Sequence, residues 1–325
     1  MRRREFIGIL SGAAASLGMS SPLPAQEVGR IYRIGFLSGG PREAVHIIAF
    51  LDELRRSGFN GGQNLEIVAG GFSLRDEQFA EAAVALVKSA PDAIVSTGPV
   101  ATRAALAATK TIAILASSDD MVADGFVPSL RQPGGNITGV SLLAPELDGK
   151  RQDILMEAVP GIRRIAALAD PNVDTTEHLR VLRDRASARG VELSVVSART
   201  PEEIAPAMDA ASASGAQALN VLATPLFFFN RHTVIVRAAA LRLPAMYQWP
   251  EMVEEGGFVG YGPRITQWYR ELGRLLVKVL RGAKPNELPV EQPTRFELVI
   301  NLETAKAIGH EIPTGLIARA DKVIE

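Results

Sequence analysis

The sequence predicts an α/β protein of two Rossmann-like lobes, each built on a parallel sheet. Apolar runs ending at Leu37, Ala69, Val95 and Ala116 each lead into a short polar loop and, in most cases, a helical stretch. A second set, ending at Ala169, Val196, Val221 and Tyr247, repeats the pattern. Strands alternating with helices at this spacing form parallel sheets, and ligands of such sheets collect at the strands' carboxyl ends. A length of 325 residues fits two domains, each large enough to bury a core.

The elements follow in order. Residues 32–37 form a β-rich run that stops at Ser38-Gly39-Gly40-Pro41, and 45–56 carry helical spacing through Ile48, Leu51 and Leu54. Gly58 and Gly61-Gly62 end that helix before a strand at 65–69. A helix at 79–88 sets Phe79, Ala82, Ala83 and Leu86 on one face; then come a short buried strand at 93–95, a helix at 101–109 and a strand at 112–116. Residues 137–143 read as a first crossover. The second lobe repeats the theme with strands at 165–169, 191–196, 218–222 and 245–247, separated by helices at 176–189, 202–214 and 230–241. After a strand at 257–261 comes a long amphipathic helix at 265–281. Pro285, Pro289 and Pro293 then mark an extended crossing ahead of a strand at 296–300 and a helix at 302–309. Three crossings make a shared three-segment hinge: one lobe takes 31–142 plus 263–293, the other 143–262 plus 294–325.

Residues 1–25 read as an export signal. Arg2, Arg3 and Arg4 precede an apolar Ala/Gly-rich stretch, and Leu23-Pro24-Ala25 offers a cleavage point near Ala25. Arg3-Arg4-Glu5-Phe6-Ile7 has a twin-arginine look, although Arg2 stands where that pattern has Ser or Thr; an ordinary secretory signal fits as well. The chain has no cysteine, so disulfides and a lipid-bearing cysteine are both excluded. The expectation is a free periplasmic monomer. Formal net charge is −1, and three arginines against one glutamate in the first 25 residues leave the remainder at −3. That balance gives no electrostatic footing for nucleic acid. Past the signal, no apolar run reaches the roughly 18 residues of a membrane span.

Candidate chemistry sits at the predicted strand ends. Ser96-Thr97-Gly98-Pro99 exposes backbone N–H groups at a helix N-terminus, suited to a carboxylate, though the same residues also make an ordinary cap. Ser117-Ser118-Asp119-Asp120 offers adjacent acids for a ligand ammonium or hydroxyl, or equally an N-cap. The second lobe is aromatic at the matching edge, with Phe227, Phe228, Phe229, Tyr247, Trp249 and Tyr261; most of these belong to the core and one or two to a ligand face. Nucleotide-binding, zinc-protease and serine-hydrolase motifs are missing, and the four histidines form no spaced pair and read as surface residues. The expectation is a binding protein with no catalytic residues, no metal and no cofactor.

Several stretches resemble the substrate-binding proteins of bacterial ABC transporters, in the tryptophan/tyrosine-type branch: PGGNITGVS at 133–141, RLPAMY at 242–247, EEGGFVGYGP at 254–263, LPVEQPTRFELVINLETAKAIG at 288–309 and ARADKVIE at 318–325. The resemblance spans the mature chain and implies a type I periplasmic-binding-protein fold with a permease and an ATPase as partners. It places ligand loops on Ser38, on Ser96 to Gly98, on Ser117 and Asp120, and on the loop after Leu222 that holds Thr224. Asp120 matches the family's acid, but Met121 replaces its proline. Thr224 stands where an acid is usual, and Asp170-Pro171-Asn172 replaces an Asn-Pro loop. With Tyr247 and Tyr261 as candidate aromatic contacts, the ligand is an amino acid or another, aromatic, carboxylate. A sensory module of the same fold and an exported enzyme remain the alternatives to an importer component.

Overall fold

The structure, a computed structural model, describes residues 29–142 and 144–325; the expected signal segment lies outside the described residues. Strands β1 (Tyr32–Leu37), β2 (Leu65–Ile67), β3 (Ala93–Thr97), β4 (Ala113–Ser118) and β5 (Ile137–Ser141) form one sheet in the order β2-β1-β3-β4-β5. All its pairings are parallel, and β3 and β5 are buried along their whole length, which is why they read as unbroken apolar or small-residue runs. Helices α1 (Val45–Arg56), α2 (Phe79–Lys88) and α3 (Pro99–Ala108) connect the strands. Residues 137–141 are thus the last strand of the first sheet, and the chain leaves that sheet only after Leu142.

The chain continues through α4 (Ala144–Ala158), β6 (Arg164–Ala169), α5 (Thr176–Ser187), β7 (Glu192–Ser197), α6 (Pro201–Ala213) and β8 (Ala218–Val221). Next come α7 (Pro225–Phe229), α8 (Arg231–Ala240), β9 (Ala245–Tyr247), α9 (Pro250–Glu254) and β10 (Val259–Gly262). Helix α10 (Ile265–Leu280) returns to the first sheet and lies along α1, close enough that a Cβ on Gly273 would sit 3.2 Å from Glu53 Cβ. An extended segment then pairs Glu291 with Val140 before β11 (Glu297–Asn301), α11 (Leu302–Ile308), α12 (Thr314–Ile317) and β12 (Lys322–Ile324) complete the second sheet. Its order is β12-β11-β10-β9-β8-β6-β7, parallel except between β10 and β11.

Helix α4 escapes the sequence pattern because its inward face is polar: Asp148, Arg151 and Gln152 are fully buried where an apolar stripe would announce a helix. Two of the four histidines are corrected from surface to interior. His46 is 1% exposed on α1, and the His178 side chain is 8% exposed on α5.

Candidate functional site

The carboxyl ends of both sheets face one cleft. An outer cavity of about 320 Å³ is lined from the first sheet by Gly39, Arg75, Asp76, Thr97 and Gly98, and from the second by Asp170, Arg199, Pro225 and Phe229. An inner cavity of about 40 Å³ shares Thr97, Gly98, Pro225 and Phe229, and adds Ser117, Asp119, Trp268 and Tyr269 on one side and Thr224, Phe228, Gln248 and Trp249 on the other. Every loop that reaches the outer cavity follows a strand end; the one carrying Arg75 to Glu77 runs from β2 into α2.

Gly98 explains the local design. Its φ of +87° is a left-handed conformation that suits glycine, and it precedes α3 with Pro99 at the first helical position. The amides of Val100 and Ala101, both on the outer cavity, have no acceptor within the helix and sit at the positive end of its dipole. A Cβ on Gly98 would lie 2.7 Å from Pro225 Cγ, so the two lobes meet at this point. They meet again where a Cβ on Gly40 would come within 2.5 Å of the Phe229 ring. At the mouth, Asn172 Nδ2 donates to Asp76 Oδ2 at 3.4 Å.

The cleft perturbs its acids and bases. Burial, then the charges of Asp148, Asp124 and Asp174, raises Asp119 well above the usual carboxylate range, and its Oδ2 has no protein partner. Asp170 is pushed up to about 7, first by burial and then by Asp174 and Asp76, against the pull of the Asn172 amide and Arg199. Burial raises the Tyr269 phenol although Ser117 and Thr97 hydrogen-bond it. His46 packs 4.5 Å from Tyr269 and 5.3 Å from Phe228 between ring centroids, and burial with the nearby Arg231 charge drives it down to about 3. The indole nitrogens of Trp249 and Trp268, stacked at 5.1 Å, also lack protein partners.

Of the candidates named from sequence, Thr97, Gly98, Ser117, Asp170 and Thr224 line the cavities. Thr224 also caps α7 by accepting the Phe227 amide at 3.4 Å. Ser38 and Ser96 lie beneath the surface: Ser38 Oγ accepts the Gly40 amide at 3.2 Å, and Ser96 Oγ pairs with Thr102 Oγ1 at 2.9 Å. Asp120 caps a turn through the amides of Val122 and Ala123, at 3.1 and 3.0 Å, while its neighbour Asp119 lines the inner cavity. Asn172 is exposed at the rim. Tyr247 is buried beside Gly257, and Tyr261 stacks on Phe296 at 6.0 Å; neither lines the outer or the inner cavity. Phe228, Phe229 and Trp249 do, whereas Phe227 is core. Sequence alone did not single out Asp119, Trp268 or Tyr269. The only signal for the last two was their place in the first turns of the amphipathic α10.

Two mostly parallel α/β sheets, crossed three times by the chain and facing each other over a cleft, define a two-lobed binding protein of the type I periplasmic fold. Solved structures agree. A conserved domain protein from Vibrio cholerae O1 biovar El Tor superposes with a TM-score of 0.82 at 24% identity, covering 90% of this chain and 100% of that one. An ABC domain in complex with L-Trp from Streptococcus pneumoniae gives 0.80 at 24% identity with the same coverage. A ligand-free, open substrate-binding protein with adhesive properties from Clostridium difficile gives 0.61 at 22% identity, over 91% and 99% of the chains. A tyrosine-binding protein of Clostridioides difficile (strain R20291) is 25% identical over 264 residues, 80% of this chain and 75% of that protein. The profile of the ABC transporter substrate binding protein family matches residues 38–324, and the chain belongs to that family.

Proposed function

We propose that this protein is the periplasmic solute-binding component of an ABC importer, closing its lobes on an amino acid or related carboxylate with an aromatic body and delivering it to a membrane permease driven by an ATPase. The observation that carries this is the unequal cleft: hydroxyls, orphan amides and an unpartnered acid at the carboxyl edge of the first sheet, facing aromatic rings from α7 and the loop after β9. The helix dipole and amides at Thr97 to Ala101 suit the ligand carboxylate, Asp119 or Asp170 its ammonium, and Phe228, Phe229, Trp249 and Trp268 its ring. The tyrosine-binding relative and the L-Trp complex support the aromatic amino acid class.

The lobes are 31–142 plus 263–293 and 143–262 plus 294–325, hinged at three crossings. Ligand favours the closed form because contacts to both lobes exist only there. Residues 1–25 serve as the export signal, with cleavage near Ala25, and the mature protein acts as a monomer without catalysing a reaction. Thermal melting against the protein amino acids and a set of aromatic carboxylates tests the proposal. A ligand present at a hundredfold excess over its Kd stabilises by about 2.7 kcal/mol, which moves the melting temperature by several degrees. A melting temperature that no member shifts sinks it.

A further inference from the structure

Beneath the second lobe's half of the cleft lies a buried ion pair on α4, in the first turns after the chain leaves the first sheet. Asp148 and Arg151 are both fully buried and meet at 2.7 Å through Oδ1 and Nη1. The rest of the guanidinium is spread over two strand ends: Nε donates to the Tyr261 carbonyl at 2.7 Å and Nη2 to the Gln248 carbonyl at 3.3 Å. Asp148 Oδ2 accepts the Ala223 amide at 3.5 Å and lies 3.5 Å from His178 Nε2. His178 Nδ1 is 3.3 Å from Asp174 Oδ1, and Asp174 Oδ2 accepts the Asp170 amide at 2.8 Å.

One pair therefore reaches the segments after β6, β8 and β9 and the end of β10. Those segments carry Asp170, Thr224 and Gln248 to the cavities, and β10 leads into the second crossing. The backbones are drawn tight there: a Cβ on Gly262 would lie 2.0 Å from the Gln248 carbonyl oxygen and 3.3 Å from Arg151 Nη2. We infer that Asp148 and Arg151 are positioning residues that hold the second lobe's ligand-facing loops and the hinge strand as one rigid body. A buried ion pair is a weak source of net stability, because an apolar pair of similar volume serves as well. What an apolar pair cannot do is fix several backbone groups in one geometry, and lysine lacks the planar fork that spans two carbonyls.

Amide hydrogen exchange on the ligand-free protein tests this with Asp148→Leu/Arg151→Met and, separately, with Arg151→Lys. The double variant removes both charges together, and Arg151→Lys keeps the charge beside Asp148 in case the double variant fails to fold. The expected result is exchange faster by about tenfold or more in 170–174, 222–225, 248–250 and 260–263, with the first sheet and the melting temperature nearly unchanged. Unchanged exchange in those segments, or an equal acceleration across β6 to β8, overturns the assignment. Only its consequence for affinity rests on the cleft being the ligand site. Loosened loops in a protein whose melting temperature no ligand shifts would keep the assignment and remove the proposed function.

Discussion

Gly40→Ala is a direct probe of cleft closure. The backbone at Gly40 is not in the left-handed region, so alanine fits the loop itself. The new methyl group would lie 2.5, 2.9 and 3.1 Å from Cε1, Cδ1 and Cζ of Phe229, where carbon atoms prefer about 3.5–4.0 Å. The ring must therefore retreat by roughly 1 Å. It has little room, since Phe228 lies 5.6 Å and His46 6.0 Å away between centroids. Overpacking of this kind costs about 1–3 kcal/mol. Gly40 follows β1 and Phe229 ends α7, so under the proposed closure the cost falls on the closed form alone. The expected loss of ligand affinity is then about 5- to 150-fold, measured by calorimetry with whichever amino acid raises the melting temperature most. Small-angle scattering should show the ligand-saturated variant more extended than the wild type. Adding Phe229→Leu should restore the compaction seen by scattering, although it gives up a proposed ring contact with the ligand. A variant that binds and compacts like wild type, or one that Phe229→Leu does not rescue, refutes closure at this contact.

Three further outcomes are expected. Asp170 in the folded protein titrates near 7, above its ordinary 3.8, so its ionisation destabilises: its contribution is fully favourable below 3.8 and is lost as pH rises through 7. Asp170→Asn, which keeps the acceptor for the Asn172 amide, should match wild type in folding stability at pH 4 and exceed it at pH 8, by ~4 kcal/mol at most, read from denaturant melts. His46 has the opposite sign, since its value of about 3 lies below the ordinary 6.5. Its contribution to folding stability is full above 6.5 and is lost progressively as pH falls toward 3, so the melting temperature should fall with pH across that window. Charge on this ring would face Arg231 and the Tyr269 phenol, and His46→Phe should make the fall in melting temperature shallower in that window than in wild type. The chain has two tryptophans and both line the inner cavity, so any ligand that raises the melting temperature should also change the intrinsic emission; silent emission would place the ligand elsewhere.

The strands and most helices were legible because burial leaves a direct mark. β3 is buried at all five positions, and α1 and α2 carry stripes at helical spacing, so period and length settled them. The cleft was legible as an edge, not as a list of side chains. Thr97, Gly98, Ser117, Asp170 and Thr224 follow from the rule that ligands gather at strand carboxyl ends. Asp119 and Asp120 could not be told apart by type. What separates them is that Asp120 bonds two amides of the turn that follows it, a local habit of aspartate two or three residues ahead of free N–H groups. That habit was the available signal, and it argues for the neighbour as the free acid.

The same logic accounts for Trp268 and Tyr269, whose spacing fits the buried face of α10 and whose exposure to the cleft depends on a helix returning from the other lobe. It also accounts for α4. A helix whose inner face carries Asp148, Arg151 and Gln152 cannot show an apolar period, yet those side chains are buried because three strand ends and α5 supply their partners. A segment where pattern and structure disagree is one where a local rule has been given up for something else. In α4 the disagreement falls on the residues that tie the second lobe's cleft loops to β10, so the failure of the hydrophobic pattern is itself a pointer to the pair proposed to hold those loops together.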